Sequence, residues 1–127
     1  MAIRRVKIVI DTESLKSGAT TASCIYMLAP SDMNPYNQGQ DELGVTVNNG
    51  DSVIWSPCGF DPSIPIKLKA NANPGVLTTN MEATYNDDGT VTALATKTCN
   101  SAIYRFAFVV DDDDYDPYSW DPYITIE

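Results

Sequence analysis

The sequence contains no histidine, and its eight basic residues stand against seventeen acidic ones, for a net charge of −9 over 127 residues. Without histidine, a Ser-His-Asp or Cys-His nucleophile, a histidine general base and a histidine-ligated metal are excluded. Nucleic acid and anionic membranes require a positive surface. A pI near 4.2 therefore argues against both as partners.

Long apolar runs are also absent, and none approaches the ~20 residues that a membrane-spanning helix needs. The N-terminal apolar run is broken by Lys7, ends at Asp11 and lacks a small-residue cleavage site, so we do not expect a secretory signal. The chain has an odd number of cysteines, and they are widely spaced: Cys24, Cys58 and Cys99. This pattern favours a reduced compartment and buried thiols. A disulfide plus one free thiol is the alternative. We expect a cytoplasmic protein that does not insert into membranes.

Alternation of apolar and polar side chains is the main pattern present. Residues 3–10 predict a first strand with one buried face, and residues 24–28 predict a second. Residues 14–23 predict a loop, and residues 29–42 predict a long surface loop with little structure of its own. Helical periodicity is hard to find.

The segment Asn48-Asn49-Gly50 predicts a β-hairpin with a three-residue loop, because Gly supplies the left-handed position that such a loop requires. This register places one consistent set of apolar side chains on a single face, namely Leu43, Val45, Val47, Val53 and Trp55. We therefore expect Trp55 to lie in the core and to pair with Leu43 across the hairpin.

The segment Asp87-Asp88-Gly89 predicts a second hairpin by the same argument. Its three-residue loop gives the pairs Tyr85 with Val91, Ala83 with Ala93, Met81 with Ala95 and, on the outward face, Thr84 with Thr92. A shift by one residue would mix the two faces.

Three further strands complete the pattern. Residues 64–70 carry Pro65 and two lysines, which is typical of an edge strand. Residues 102–110 are apolar on both faces, as expected for a central strand, and residues 123–126 form the last strand. Eight or nine short strands separated by Gly, Pro and Asn predict an all-β fold, a two-layer antiparallel β-sandwich forming one domain over residues 1–127.

The most acidic stretch of the chain lies near its C-terminus. Asp112, Asp114 and Asp116 have the spacing of the first ligands of a calcium loop. Pro117 stands where such a loop needs glycine, and Tyr123 where it needs a bidentate glutamate, so an EF-hand is excluded. Two interpretations remain: a calcium site of another kind that uses these three aspartates, and a solvated acidic connector between two strands.

Aromatic side chains crowd the same segment. Aromatic rings beside carboxylates form sugar-binding surfaces and also anchor protein interfaces. A ligand-binding surface is therefore predicted at Tyr115, Tyr118, Trp120 and Asp121, with a glycan as the candidate ligand. In the alternative, Trp120 and Tyr123 pack the last strand onto the core.

Paired carboxylates are the remaining catalytic option. A glycosidase needs two carboxyl groups about 5–10 Å apart across a cleft, and a compact sandwich leaves little room for one. The sequence has neither a Gly-rich phosphate loop nor a Cys-X-X-Cys motif. We therefore expect a non-catalytic protein without a resident cofactor.

Three segments suggest a family: residues 6–13 (VKIVIDTE), 50–55 (GDSVIW) and 120–126 (WDPYITI). In their order and spacing the chain resembles the bacterial inclusion-body protein family of the PixA/AidA type, over essentially its whole length. The closing segment is the most specific of the three.

The resemblance implies a small, cytoplasmic β-sandwich of immunoglobulin-like build. Members of the family are associated with protein inclusions or with quorum-sensing-controlled expression in host-associated bacteria, and no catalytic residues are carried over. With four methionines, the chain departs from the methionine-rich, inclusion-forming type. We expect a self-associating protein with a structural, storage or host-interaction role. The alternative is a calcium- or carbohydrate-binding, lectin-like module that uses the acidic aromatic segment.

Overall fold

The computed structural model describes residues 2–111, 113–115 and 122–127. In this part of the chain the elements are β1 (Ile3–Ile10), α1 (Thr12–Lys16), β2 (Ile25–Leu28), β3 (Gly44–Val47), β4 (Ser52–Gly59), β5 (Ile66–Gly75), α2 (Val76–Thr79), β6 (Met81–Tyr85), β7 (Val91–Ala95), β8 (Cys99–Val110), β9 (Asp113–Tyr115) and β10 (Tyr123–Ile126). Nine of the ten strands coincide with predicted ones, and β9 adds a tenth. It lies within the acidic stretch, for which a calcium site or a solvated connector between two strands was expected.

The strands form two sheets. The first sheet has the order β2-β1-β4-β7-β6, and the second has the order β3-β10-β8-β5, with β9 also paired to β8. The all-β prediction of two sheets is confirmed. The edge position of β5 and the central position of β8 are confirmed as well.

Not every pair of strands is antiparallel, and the prediction of a wholly antiparallel sandwich was wrong. β1 runs parallel to β4, and β3 runs parallel to β10. Parallel neighbours cannot be joined by a tight turn. Both pairs therefore bring together segments that lie far apart in the chain. Turn residues do not indicate which of such distant segments will pair.

The second predicted hairpin is confirmed in every pair. β6 and β7 pair Tyr85 with Val91, Ala83 with Ala93, Met81 with Ala95 and Thr84 with Thr92. The turn is closed by hydrogen bonds from the N–H of Asn86 to the carbonyl of Thr90 (2.9 Å) and from the N–H of Gly89 to the carbonyl of Asn86 (3.0 Å).

The first predicted hairpin was wrong, although its residues are buried as expected. β3 lies in the second sheet and β4 in the first, so the turn at Asn48–Asp51 carries the chain from one layer to the other. The predicted apolar set is nevertheless buried throughout: Leu43, Val45, Val47, Val53 and Trp55. These side chains enter the same core from opposite sheets, which satisfies burial as well as a hairpin would.

The core joins the two sheets through aromatic contacts. Trp55 on β4 packs against Tyr104 and Phe106 on β8, with ring centroids 5.2 and 5.3 Å apart. Its Nε1–H donates to the Tyr104 hydroxyl at 3.1 Å. Burial raises the pKa of Tyr104 far above its ordinary value, so the phenol stays protonated. The core prediction for Trp55 is confirmed.

Two predicted loops contain short helical elements that were not predicted. α1 begins inside the first: Asp11 accepts from the N–H of Ser14 at 3.1 Å, the usual arrangement of an N-cap, and the helix buries Leu15. Residues 29–42 include a 3-10 turn at Ser31–Met33 that buries Met33 completely. Elements of three to five residues are too short to show a helical period.

Candidate functional site

The sequence-predicted site lies almost wholly beyond what the structure describes. Asp112, Asp116, Tyr118, Trp120 and Asp121 lie outside the described residues, so the ligand-binding and metal-binding predictions for them stay predictions.

Two further residues of that site are described only in their backbone. Asp114 and Tyr115 belong to β9, where they pair with Val109 and Phe108 of β8. Asp111 begins this reversal with a left-handed backbone (φ 49°). This part of the acidic stretch is therefore a strand held against the second sheet.

The clearest surface feature of the described residues is the side of the first sheet that faces away from the core. Alternation along β1 buries Val6, Ile8 and Ile10 and turns the residues between them outward. We call the exposed side the outer face; it consists of Ile3, Arg5, Lys7 and Val9 of β1, Tyr26 and Leu28 of β2, Ile54, Ser56 and Cys58 of β4, and Phe60 directly after β4.

A stacked aromatic pair lies on the outer face. The rings of Tyr26 and Phe60 have centroids 5.8 Å apart and an interplanar angle of 26°. Tyr26 is 39% exposed and Phe60 is 64% exposed, and Leu28 beside Tyr26 is 44% exposed. The backbone N–H of Phe60 donates to the carbonyl of Ile10 at 3.3 Å, which extends the ladder between β1 and β4 by one residue.

An acidic cleft borders the aromatic pair at the end of β1. It has a volume of about 280 Å³ and is lined chiefly by Asp11, Glu13, Lys16, Phe60 and Asp61. Because α1 starts directly after β1, and the turn after β4 lies beside it, the fold brings carboxylates from two segments to one end of the outer face.

Two carboxylates of the cleft are held ionised by neighbouring serines. Hydrogen bonds from the hydroxyl (2.7 Å) and N–H (3.1 Å) of Ser14 lower the pKa of Asp11. Those from the hydroxyl (2.7 Å) and N–H (3.0 Å) of Ser63 lower the pKa of Asp61 in the same way. Both side chains therefore carry negative charge at neutral pH.

The opposite end of the outer face is basic. Arg5 and Lys7 are exposed on β1. They line a shallow groove of about 360 Å³ together with Leu28, Pro30 and Ser56. Along β1 the outer face thus passes from basic side chains, through the apolar centre, to the acidic cleft.

A buried carboxylate anchors the corner between β3 and β4. Asp51 accepts from the N–H groups of Ala2 and Asn48, both at 2.9 Å, and from Nε of Arg4 at 3.4 Å. Burial alone would raise the pKa of Asp51, but these donors outweigh burial and hold the pKa below its usual range. Arg4 also pairs with Asp32 at 2.7 Å. This cluster is structural, because it ties the start of β1 to the corner.

Sequence reasoning missed the outer face as a site. Phe60 stands between Gly59 and the turn residues Asp61-Pro62, where a large aromatic side chain has no place in a core. In the second strand, an aromatic residue falls at an outward position. These were the available signals, and only the pairing of β1 with both β2 and β4 brings them together.

Neither a cluster of metal ligands nor a helix of membrane-spanning length occurs among the described residues. Within residues 2–111, 113–115 and 122–127, no three His, Cys, Asp or Glu side chains are grouped so that they could hold a metal ion. None of the helices in those same ranges has the length and apolar character needed to span a membrane. The cysteines Cys24, Cys58 and Cys99 are free thiols.

Comparisons with known proteins found a matching family model and a solved structure of similar fold. A family model described as "Domain of unknown function (DUF8788)" matches residues 3–115. The crystal structure of the inclusion body protein PixA from Burkholderia cenocepacia J2315 is similar with a TM-score of 0.56, 13% sequence identity, and coverage of 98% of this chain and 93% of that one. No curated protein matches the sequence. The resemblance to PixA is confirmed, and at this identity the likeness is one of fold.

Proposed function

The chain belongs to the family described as "Domain of unknown function (DUF8788)", and from that premise we propose that it is a non-catalytic, self-associating β-sandwich protein with a structural or storage role. The observation that carries the proposal is the stacked pair of Tyr26 and Phe60 on the outer face, 39% and 64% exposed. Large aromatic side chains are enriched at the centres of protein interfaces, and apolar patches on a rigid sheet mark interaction sites.

The fold likeness supports the structural or storage role. The similar crystal structure is that of an inclusion body protein, and carrying that description to this chain is part of the proposal. The proposal also includes five further properties that the resemblance implies or the composition leads us to expect. They are an immunoglobulin-like build, a single domain over residues 1–127, a cytoplasmic location, a role in host interaction and quorum-sensing-controlled expression.

The chemistry of the acidic cleft supports a non-catalytic protein. A carboxyl group that acts as a general acid at neutral pH needs a raised pKa, as in the hydrophobic pocket of a glycosidase. Serine hydrogen bonds lower the pKa of both Asp11 and Asp61 instead. These two side chains are suited to attracting cations and accepting hydrogen bonds.

Light scattering coupled to size exclusion, from micromolar to millimolar protein, tests self-association. We expect an apparent mass that rises with concentration above that of the 13.9 kDa chain. Phe60→Ser should shift the rise to higher concentration without changing the melting temperature much, because substitutions at exposed sites usually change stability by no more than about 0.5 kcal/mol. A chain that stays monomeric at millimolar concentration contradicts the proposal.

A second candidate is a carbohydrate-binding module, and the acidic cleft favours it. The Phe60 ring lies beside hydrogen-bond-accepting carboxylates, the combination that stacks on a sugar and accepts from its hydroxyls. The calcium-binding alternative uses Asp112, Asp114 and Asp116. Calorimetry with calcium and a glycan array test these candidates, and saturable binding that disappears in Phe60→Ser would favour the glycan.

A further inference from the structure

The outer face is complementary to itself. Its basic side chains lie at one end of β1 and its carboxylates at the other end together with Phe60, while Tyr26 lies opposite Val9 between the two ends. A surface with this order matches a second copy that runs in the opposite direction. A net charge of −9 disfavours indiscriminate contact between copies, so a stable contact has to place opposite charges together.

We infer that the outer face binds the outer face of a second copy of this chain, about a two-fold axis that lies between the two faces and crosses the strands. The inference rests on the proposed self-association and names the surface that performs it. A two-fold interface uses the same patch on both subunits, so the patch must pair each of its ends with the other.

The register of β1 provides that pairing. An axis at Ile8 places Lys7 opposite Val9 of the second copy, and Arg5, three residues before the axis, opposite Asp11, three residues after it. Because the operation is symmetric, each dimer contains this basic-to-acidic contact twice. Asp11 is held ionised by Ser14, so the contact joins two full charges at neutral pH.

The same axis pairs apolar side chains in the neighbouring strands. Ile8 is in register with Met27 of β2 and with Pro57 of β4, so one row crosses all three strands. Tyr26 and Leu28 flank Met27 and face each other across the interface. Ile54 and Phe60 each lie three residues from Pro57 and do the same. A single operation thus matches Arg5 with Asp11 on β1 and apolar with apolar side chains on β2 and β4, while Lys7 lies opposite Val9.

Hydrogen bonding at the sheet edge favours contact through the face. The outer edge of β2 is already covered: the N–H of Gly39 donates to the carbonyl of Met27 at 2.7 Å. The Gln38 side chain bonds both the N–H and the carbonyl of Ala29, at 2.9 and 2.6 Å. A second copy therefore cannot add a strand beside β2 without displacing this loop.

The area of the outer face sets the affinity that we expect for the dimer. Three strands about 4.8 Å apart and up to about 25 Å long present roughly 360 Å² per subunit. Stable interfaces bury about 800 Å² per partner, so we expect a dimer with a dissociation constant in the micromolar range or above.

A charge-swap experiment tests the two-fold arrangement. Arg5→Glu/Lys7→Glu makes both ends of the face acidic, and Glu13→Lys/Asp61→Lys gives the acidic end positive charge. Each variant alone should dimerise at least about tenfold more weakly than the wild type, and an equimolar mixture should form heterodimers with near wild-type affinity. Sedimentation velocity on separately labelled variants measures both, and circular dichroism confirms folding.

Matched controls carry the same charge changes elsewhere. Lys69→Glu on β5 and Asp87→Lys in the β6–β7 turn are exposed and lie away from the outer face, so dimerisation should be unchanged. Phe60→Ser serves as a second probe should a charge variant fold poorly, and it should weaken the dimer about tenfold.

The outcomes separate the inference from the proposed function. If the wild type dimerises and the charge variants match it, the outer face is not the interface, although self-association stands. If each variant dissociates but the mixture does not recover, the pairing of the basic end of one copy with the acidic end of the other is wrong. If the wild type remains monomeric at millimolar concentration, the proposed function fails and this inference fails with it.

Discussion

Two turns of this chain have nearly the same local sequence pattern and opposite structural results. Asn48-Asn49-Gly50 and Asp87-Asp88-Gly89 both end in a glycine with left-handed backbone, at φ 94° and 91°, and both lie between alternating apolar segments. The second closes a hairpin within one sheet, whereas the first joins the two sheets. Turn residues therefore specify that the chain reverses, and leave open which strands become neighbours.

Competition for strand edges explains the difference. Both edges of β4 are occupied, by β1 on one side and β7 on the other, so β3 cannot pair with it. At the corner itself, the N–H of Ser52 donates to the carbonyl of Ala2, and Asp51 takes the N–H of Asn48. β4 therefore pairs with β1, which is remote in sequence, and not with its neighbour in the chain, β3.

The largest expected effect comes from Trp55, which a hairpin would have placed beside Leu43. Trp55→Ala should lower the free energy of unfolding by about 4 kcal/mol, because it leaves a cavity between the sheets against Tyr104 and Phe106. Urea unfolding measures the loss. A loss below about 1 kcal/mol would mean that Trp55 does not join the two layers.

The next effect compares an aspartate at each turn. Asp51→Ala should destabilise the fold by about 3 kcal/mol, because the N–H groups of Ala2 and Asn48 lose their buried acceptor. Asp88→Ala is the matched control: Asp88 is exposed and accepts from the N–H and hydroxyl of Thr90, two residues on, so the change should be close to the experimental error. Equal losses of unfolding free energy in Asp51→Ala and Asp88→Ala would contradict the different roles of the two turns.

For the glycines of the two turns, in contrast to the aspartates, we expect the larger loss of stability at the hairpin turn, at Gly89, and the smaller one at Gly50. A methyl group at Gly50 has nothing within 4 Å, so Gly50→Ala should cost about 1 kcal/mol for its left-handed backbone alone. A methyl group at Gly89 would approach the carbonyl of Ile66 at 2.6 Å and Cα of Lys67 at 2.9 Å. Gly89→Ala should therefore cost about 1 kcal/mol more than Gly50→Ala in the same thermal unfolding experiment. Equal costs would show that the hairpin turn does not pack on β5.

The smallest effect concerns acid stability. The pKa of Asp51 is lower in the folded than in the unfolded chain, so its contribution is complete above the unfolded value of about 4 and is lost as pH falls through the folded value. The stability difference between the wild type and Asp51→Asn should therefore shrink as pH falls below about 4, measured by urea unfolding at several pH values. Asp88 has a lowered pKa too, and Asp88→Asn should show the same sign with less amplitude. A difference that does not change with pH would contradict the role of the ionised carboxylate.

Prediction from the sequence succeeded where neighbours in space are neighbours in the chain. The register of β6 and β7, the edge position of β5 and the burial of Trp55 all follow from alternation and turn chemistry. The parallel pairs escaped prediction because nothing local distinguishes β4 from any other apolar strand as the partner of β1.

The candidate site was less predictable than the fold. Tyr26, Phe60 and Asp11 come from three separate segments and meet only because β1 pairs with both β2 and β4. Composition drew attention instead to the acidic aromatic segment, in which residues such as Tyr118 and Trp120 lie outside the described residues. A crowded local pattern is easy to detect, whereas a surface assembled from distant strands is not.

The sequence alone determined which side chains turn inward. Side chains alternate along a strand because of its backbone geometry, and an apolar side chain is stabilised by burial against any apolar surface. The tertiary structure decided which sheet each strand joined, because backbone hydrogen bonds have to be satisfied for all strands together and each edge can be used once. Val45 and Trp55 show both results: both lie in one core, and they reach it from opposite layers.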